Sequence, residues 1–137
     1  MLRSILAVLV GMILWDILWL GSNNVFFLIF PELMDLEGPI DNAGILLLFM
    51  LLSVIFSVIA GYVTVMIARR KPVAHALVLG GIQLAIGIVM QIQYWELMPV
   101  WYHLGFLLLL VPGYLAGAML RRPKLPSAQP VEQVPEG

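Results

Sequence analysis

The chain contains no cysteine, which excludes disulfide bonds, thiolate metal sites and cysteine nucleophiles. It is also poor in charge: 11% of its 137 residues are charged and 62% are hydrophobic, whereas soluble domains have about 25% charged residues. A chain with this composition cannot cover its surface with polar groups in water. The composition therefore predicts that the lipid bilayer is its solvent.

Motifs of catalysis and of nucleic-acid binding are also missing from the sequence. It has no nucleophile–base pair, phosphate loop, dinucleotide fingerprint or metal-protease signature. With a net charge of -1 and no basic stripe, the chain lacks the cationic surface that binds nucleic-acid phosphates. We therefore expect neither an enzyme nor a nucleic-acid-binding protein, and we expect no cofactor.

Four long apolar runs are the main positive feature of the sequence. A helix needs about 20 residues to cross about 30 Å of hydrocarbon, and continuous runs favour helices over the alternating pattern of a barrel. The runs cover residues 4–24, 43–68, 73–94 and 101–120. Short connections between them predict an all-α, antiparallel bundle of four transmembrane helices.

The ends of these runs are less uniform than their centres. Residues 25–30 either extend the first helix or lie on the membrane surface. Asp41 or Asn42 is placed to cap the second helix, and Pro72 to start the third. Residues 1–120 form one transmembrane domain in this interpretation. The proline-rich segment 121–137 is expected to be a disordered cytoplasmic tail.

The cationic residues predict the orientation. The seven Lys and Arg lie at the N-terminus, in the second loop and after the fourth run, and the first and third loops have none. By the positive-inside rule, we expect both termini of this multi-pass membrane protein to face the cytoplasm. The cations expected to meet lipid head groups there are Arg69, Arg70, Lys71, Arg121 and Arg122.

Asp16 is the most informative residue, because it lies about 12 residues into the first run, near the middle of the bilayer. An ionised carboxylate there costs at least about 2.5–3.5 kcal/mol, so Asp16 should face the bundle interior. Counting from the helix ends gives Ser53, Gln83 and Tyr114 a similar depth. The count predicts a hydrogen bond from Asp16 to Gln83 or Tyr114.

The wider polar set in the membrane leaves the role of Asp16 open. It comprises Asp16, Asn23, Gln83, Gln91 and Tyr114. A functional interpretation is proton or cation coupling, or a polar contact with a partner helix. The alternative is a hydrogen-bonded carboxyl that serves only the structure.

A second polar cluster is expected at the outer face. Its members are Glu96, Trp101, Tyr102 and His103. They are candidates for binding a quinone head or a lipid head group, and the alternative is an ordinary interfacial belt of aromatic residues. Two nitrogen or oxygen ligands without a third do not predict a metal site.

Small residues recur at helical spacing on three of the runs and predict where helices pack closely. They are Ser53, Ser57, Gly61, Gly80, Gly87, Gly113 and Gly117. Such stripes serve either packing within the bundle or dimerisation, and the first use is the more common.

Two resemblances carry expectations about class. The segment from Gly61-Tyr62 through Arg69-Arg70-Lys71-Pro72 to His75-Ala76, with Pro99-Val100-Trp101-Tyr102-His103 and Pro112, resembles small four-helix bacterial inner-membrane proteins of unknown function. That resemblance implies a fold and a compartment. The chain length and the acid in the first helix are similar to the small multidrug resistance transporters, in architecture only.

Three functions follow as expectations. The first is a non-enzymatic accessory or structural membrane subunit, with the bilayer and a partner membrane subunit or a second copy as its partners. The second is a small oligomeric transporter or channel that uses Asp16 and the glutamines. The third is a lipid or quinone binder at the outer-face cluster.

Overall fold

The computed structural model of the chain describes residues 1–33 and 38–121, and this part is all-helical. Helix α1 covers Leu2–Ile29, α2 covers Ala43–Ala68, α3 covers Pro72–Gln93 and α4 covers Val100–Leu120. Short 3₁₀ turns at Pro31–Leu33 and Trp95–Leu97 follow α1 and α3. All four helices are long and apolar enough to span a membrane, and even the 21 residues of α4 extend about 30 Å.

The helix ends follow the local chemistry of the sequence. The side chain of Asn42 caps α2 by accepting hydrogen bonds from the backbone N–H groups of Gly44 and Ile45. Pro72 occupies the first turn of α3, where its missing N–H costs nothing. Residues 25–29 continue α1 instead of lying along the surface, since Asn23 and Asn24 donate to carbonyl groups of the preceding turn and no proline occurs before Pro31.

Contacts between side chains fix the relative directions of the helices. Trp15 of α1 donates a hydrogen bond to Ser57 of α2. Trp19 lies one turn after Trp15 along α1, and it packs on Phe49, which lies two turns before Ser57 along α2. Helices α1 and α2 are therefore antiparallel. Between α2 and α4, Gly105 lies near Met50 and Gly117 lies near Val58. Residue numbers therefore rise together along the two helices, and α2 and α4 run in the same direction.

The most extensive interface joins α2 to α4, and it is made by glycines. A Cβ at Gly61 would clash with the carbonyl oxygen of Tyr114, and a Cβ at Gly117 would clash with that of Val58. At Gly113 a Cβ would lie 2.7 Å from Cβ of Ser57. These contacts bring two helix backbones together, which is how membrane helices gain dispersion energy without a hydrophobic drive.

The remaining interfaces complete the bundle. Helix α3 packs on α4, where Gly87 faces Leu107 and Gly80 faces Tyr114, and α1 packs on α2. Contact between α1 and α3 is much less extensive. The core of the bundle contains Trp15, Leu46, Leu79, Phe106, Leu110 and Tyr114, all buried.

Charge is divided between the two ends of the bundle. Arg3 donates to the carbonyl of Ile67 at the end of α2, at 2.6 Å, and the Arg121 guanidinium lies 5.7 Å from the ring centroid of Tyr62. Arg69, Arg70 and Lys71 form the α2–α3 turn at this same end. The described acids of the loops, Glu32, Asp41 and Glu96, lie at the other end.

Two expectations fall outside the described residues. One is the disordered tail, of which the structure describes Arg121 alone, so Arg122 is not placed. The other concerns the acidic first loop, where Asp35 and Glu37 are not placed.

Candidate functional site

The polar pair at the centre of the bundle joins α1 to α3. The side-chain amide of Gln83 donates through Nε2 to Oδ1 of Asp16, at 2.9 Å. Gln83 is 2% exposed, whereas Asp16 is half-buried. This pair is one of the two that the depth count predicts, and it joins α1 to α3 across an interface that is much smaller than that between α2 and α4.

Helices α2 and α4 add two hydroxyl groups to this pair. Tyr114 is fully buried, and Ser57 and Asp16 are among the polar groups near it. Glycine at position 80 makes room for the tyrosine ring, because a Cβ there would lie 3.4 Å from Cδ2 of Tyr114. We call Asp16, Ser57, Gln83 and Tyr114 the central polar cluster, to which each helix contributes one member.

A hydrogen bond from Trp15 of α1 to Ser57 joins α1 to α2 beside the central polar cluster. The indole N–H of Trp15 donates to Oγ of Ser57 at 3.1 Å. The Ser57 hydroxyl in turn donates to the carbonyl of Ser53, at 2.7 Å. The sequence assigned Ser57 to helix packing alone and did not reveal this bond, although the indole of Trp15 next to Asp16 was a usable signal.

Several buried polar atoms in the bundle have no hydrogen-bond partner within the protein. They are Oγ of Ser53, Oγ1 of Thr64, Oε1 of Gln83 and the hydroxyl of Tyr114. An unpaired buried polar atom costs about 1–3 kcal/mol, and native proteins contain few of them. Two of the four, Gln83 Oε1 and the Tyr114 hydroxyl, belong to the central polar cluster.

A second cluster of interacting residues lies at the connection between α3 and α4. We call it the loop cluster, and its members are Gln91, Trp95, Met98 and His103. His103 is fully buried. Its Nε2 faces the carbonyl oxygens of Trp95 and Met98, at 3.2 and 3.1 Å, and its Nδ1 pairs with the side-chain amide of Gln91. The Trp95 ring stacks on the imidazole at 4.7 Å between centroids.

The loop cluster differs from the outer-face cluster that the sequence predicts. Both ring nitrogens of His103 are engaged by oxygen atoms, and Glu96 is exposed instead of pairing with it. Trp101 is 45% exposed, while Tyr102 is buried beside it. In the described ranges no group of three His, Asp or Glu residues could hold a metal ion.

The structure divides the predicted intramembrane set between three places. Asp16, Gln83 and Tyr114 come together in the central polar cluster. Gln91 belongs to the loop cluster with His103. Asn23 donates to the carbonyl of Trp19 on its own helix, at 2.8 Å, and so does not join Asp16.

The fold and the central polar cluster together define a class of protein: over residues 1–33 and 38–121 the chain is all-helical, with four helices long and apolar enough to cross a membrane and an acid–amide pair between two of them. Comparison with protein-family models, with curated proteins and with solved structures finds no match.

Proposed function

We propose that this chain is a multi-pass protein of a bacterial inner membrane with both termini in the cytoplasm. The support is the division of charge between the ends of the bundle. Arg3, the turn 69–71 and Arg121 share one end, and cytoplasmic loops carry the excess of Lys and Arg.

Because the chain has no native cysteine, single cysteines can report this orientation. Arg70→Cys and Glu96→Cys replace exposed residues at opposite ends of the bundle. In intact spheroplasts, a membrane-impermeant maleimide should label Glu96→Cys directly and Arg70→Cys only after permeabilisation. The reverse pattern would contradict the orientation.

Within that membrane, we propose a non-enzymatic accessory subunit of a larger membrane assembly. The observation that carries this proposal is the filled interior of the bundle. Trp15, Leu79, Leu110 and Tyr114 are buried along its core, and glycines bring the α2 and α4 backbones together. A bundle of this kind offers its exposed apolar surface to other helices, which in lipid recognise one another by packing and hydrogen bonds.

The accessory role is tested by the size of the native complex. Membranes that express the chain at its chromosomal level are extracted in a mild detergent and compared with the purified chain on a native gel. We expect the chain to migrate in a species larger than the purified chain forms alone. Identical migration of the two samples would contradict the accessory role.

The pair between Asp16 and Gln83 favours a second candidate function, a small oligomeric transporter of protons or cations. A carboxyl group within a membrane span is expensive and often functional. Purified chain in proteoliposomes should then conduct protons or a cation, and Asp16→Asn should abolish the flux while Asp41→Asn leaves it unchanged. Absence of flux from the wild-type chain would contradict transport by the chain alone.

A further inference from the structure

The Gln83 side chain at the centre of the bundle is only half satisfied. Its Nε2 donates to Oδ1 of Asp16 at 2.9 Å, while its Oε1, on a residue 2% exposed, accepts no hydrogen bond from the protein. An ionised carboxylate can only accept hydrogen bonds. Asp16 therefore leaves Oε1 of Gln83 unpaired for as long as it is ionised.

A protonated Asp16 removes this deficit. A carboxylic acid carries one O–H donor beside its acceptor oxygen, and a primary amide presents the complementary acceptor and donor side by side. The two groups can then close a ring of two hydrogen bonds, in which Nε2 of Gln83 donates to Oδ1 and the Asp16 O–H donates to Oε1. We propose that Asp16 binds a proton and that the acid–amide pair with Gln83 is its binding site.

The surroundings of Asp16 favour the proton over a compensating charge. The groups near it on the other helices are Gln83 on α3, which donates to it, and Tyr114 on α4, which in turn lies near Ser57 on α2, and none of them is cationic. In the part of the chain that the structure describes, the Lys, Arg and His residues lie toward the two ends of the bundle and not at the depth of Asp16: His103 is at the α3–α4 connection, and the others are at the opposite end. A carboxylate without a partner cation is expensive at this depth, whereas the neutral acid uses the amide that is already in place.

Asp16 is half-buried at the α1–α3 interface, which is much less extensive than the α2–α4 interface. A proton can therefore be exchanged at this site without opening the closely packed α2–α4 interface. This inference goes beyond the accessory role proposed above and does not depend on it. It concerns whether Asp16 holds a proton, and it requires neither a partner subunit nor transport of protons across the membrane.

Isotope-edited infrared spectroscopy of the full chain in lipid vesicles tests the proposal directly. The chain has three aspartates, Asp16, Asp35 and Asp41, and carbon-13 in their carboxyl groups separates their bands from those of glutamate. We expect one shifted carboxylic-acid carbonyl band at pH 7, lost in Asp16→Asn and retained in Asp41→Asn. Carboxylate bands alone in the wild-type chain at pH 7 would overturn the proposal, without requiring any variant to fold.

The hydrogen-bonded ring has its own spectroscopic test. Gln83→Leu removes the donor to the acid carbonyl, so the Asp16 band should move to higher frequency. Gln93→Leu, an exposed position near the end of the same helix, should leave the band in place. An Asp16 band that keeps its frequency in Gln83→Leu would overturn the ring.

Chemical labelling distinguishes a proton from a metal cation in the same site. Dicyclohexylcarbodiimide is lipid-soluble and reacts with protonated carboxyl groups, and mass spectrometry locates the adduct. We expect labelling of Asp16 in vesicles at pH 7, its loss in Asp16→Asn, and no effect of exchanging potassium chloride for sodium chloride. Protection of Asp16 by sodium would identify a cation site and overturn the proton assignment.

Discussion

Helices α2 and α4 meet through glycines, whereas α1 and α3 meet through a polar pair. Gly61 and Gly117 set the backbones of α2 and α4 in contact, while the much smaller α1–α3 interface is crossed by the bond from Gln83 to Asp16. Lipid leaves close packing and hydrogen bonds as the two sources of helix association. The α2–α4 interface therefore cannot accept an added carbon atom, whereas the stability of the α1–α3 interface should depend on a single hydrogen bond.

The largest effect should come from a methyl group placed between α2 and α4. In Gly117→Ala the new Cβ would clash with the carbonyl oxygen of Val58 and lie 2.8 Å from the backbone nitrogen of Tyr62. Since backbone atoms cannot move aside as a side chain can, we expect a loss of about 3 kcal/mol in the free energy of unfolding. Reversible unfolding in mixed micelles measures it.

Gly81→Ala provides a matched control for this prediction. Gly81 lies inside α3, and a Cβ there meets nothing within 4 Å. Alanine is the better helix former, so this variant should gain about 0.5–1 kcal/mol in stability. Equal losses at positions 81 and 117 would show that α2 and α4 are not in backbone contact.

A smaller effect is expected at the α1–α3 interface. Gln83→Leu leaves Asp16 without its hydrogen-bond donor, at a cost of about 2 kcal/mol in stability. Asp16→Leu leaves the Gln83 amide unpaired, and the double variant removes both unpaired groups at once. We therefore expect a favourable coupling energy of about 1 kcal/mol between the two positions in a double-mutant cycle.

The cycle has a control in the same helix. Pairing Asp16→Leu with Gln93→Leu, which changes an exposed residue, should give additive losses in stability. Additivity in the Asp16–Gln83 cycle as well would mean that the bond contributes nothing to holding α1 against α3.

Depth along the membrane could be predicted from the sequence, because each helical residue advances the chain by a fixed 1.5 Å. This is why counting from the helix ends placed Gln83 and Tyr114 level with Asp16. The spans were predictable for a similar reason, since Asn42 and Pro72 mark helix starts by their own chemistry. The end of the first span was the least well predicted, because Asn23 and Asn24 favour a break in the sequence, whereas in the structure they bond back to carbonyl groups one turn earlier and the helix continues to Ile29.

Rotation of the helices and the choice of neighbours could not be predicted in this way. Ser57 bonds the Trp15 indole as well as packing near Gly113, and Gln91 pairs with His103 across the α3–α4 connection. Both contacts depend on which face of a helix meets which partner. Apolar residues surround these helices on nearly every side, so the hydrophobic pattern does not indicate that face.

The smallest predicted loss of stability tests whether the contacts of α1 yield more easily than those between α2 and α4. In Gly11→Ala the new Cβ would meet Oγ1 of Thr64 and lie 2.9 Å from Cδ2 of Leu79. Both are side-chain atoms, and Oγ1 of Thr64 makes no hydrogen bond that rotation would break. We expect a loss of about 1 kcal/mol, recovered in part by adding Thr64→Ala. If Gly11→Ala were as destabilising as Gly117→Ala, or if Thr64→Ala gave no recovery, the contacts of α1 with α2 and α3 would be as unyielding as those between α2 and α4.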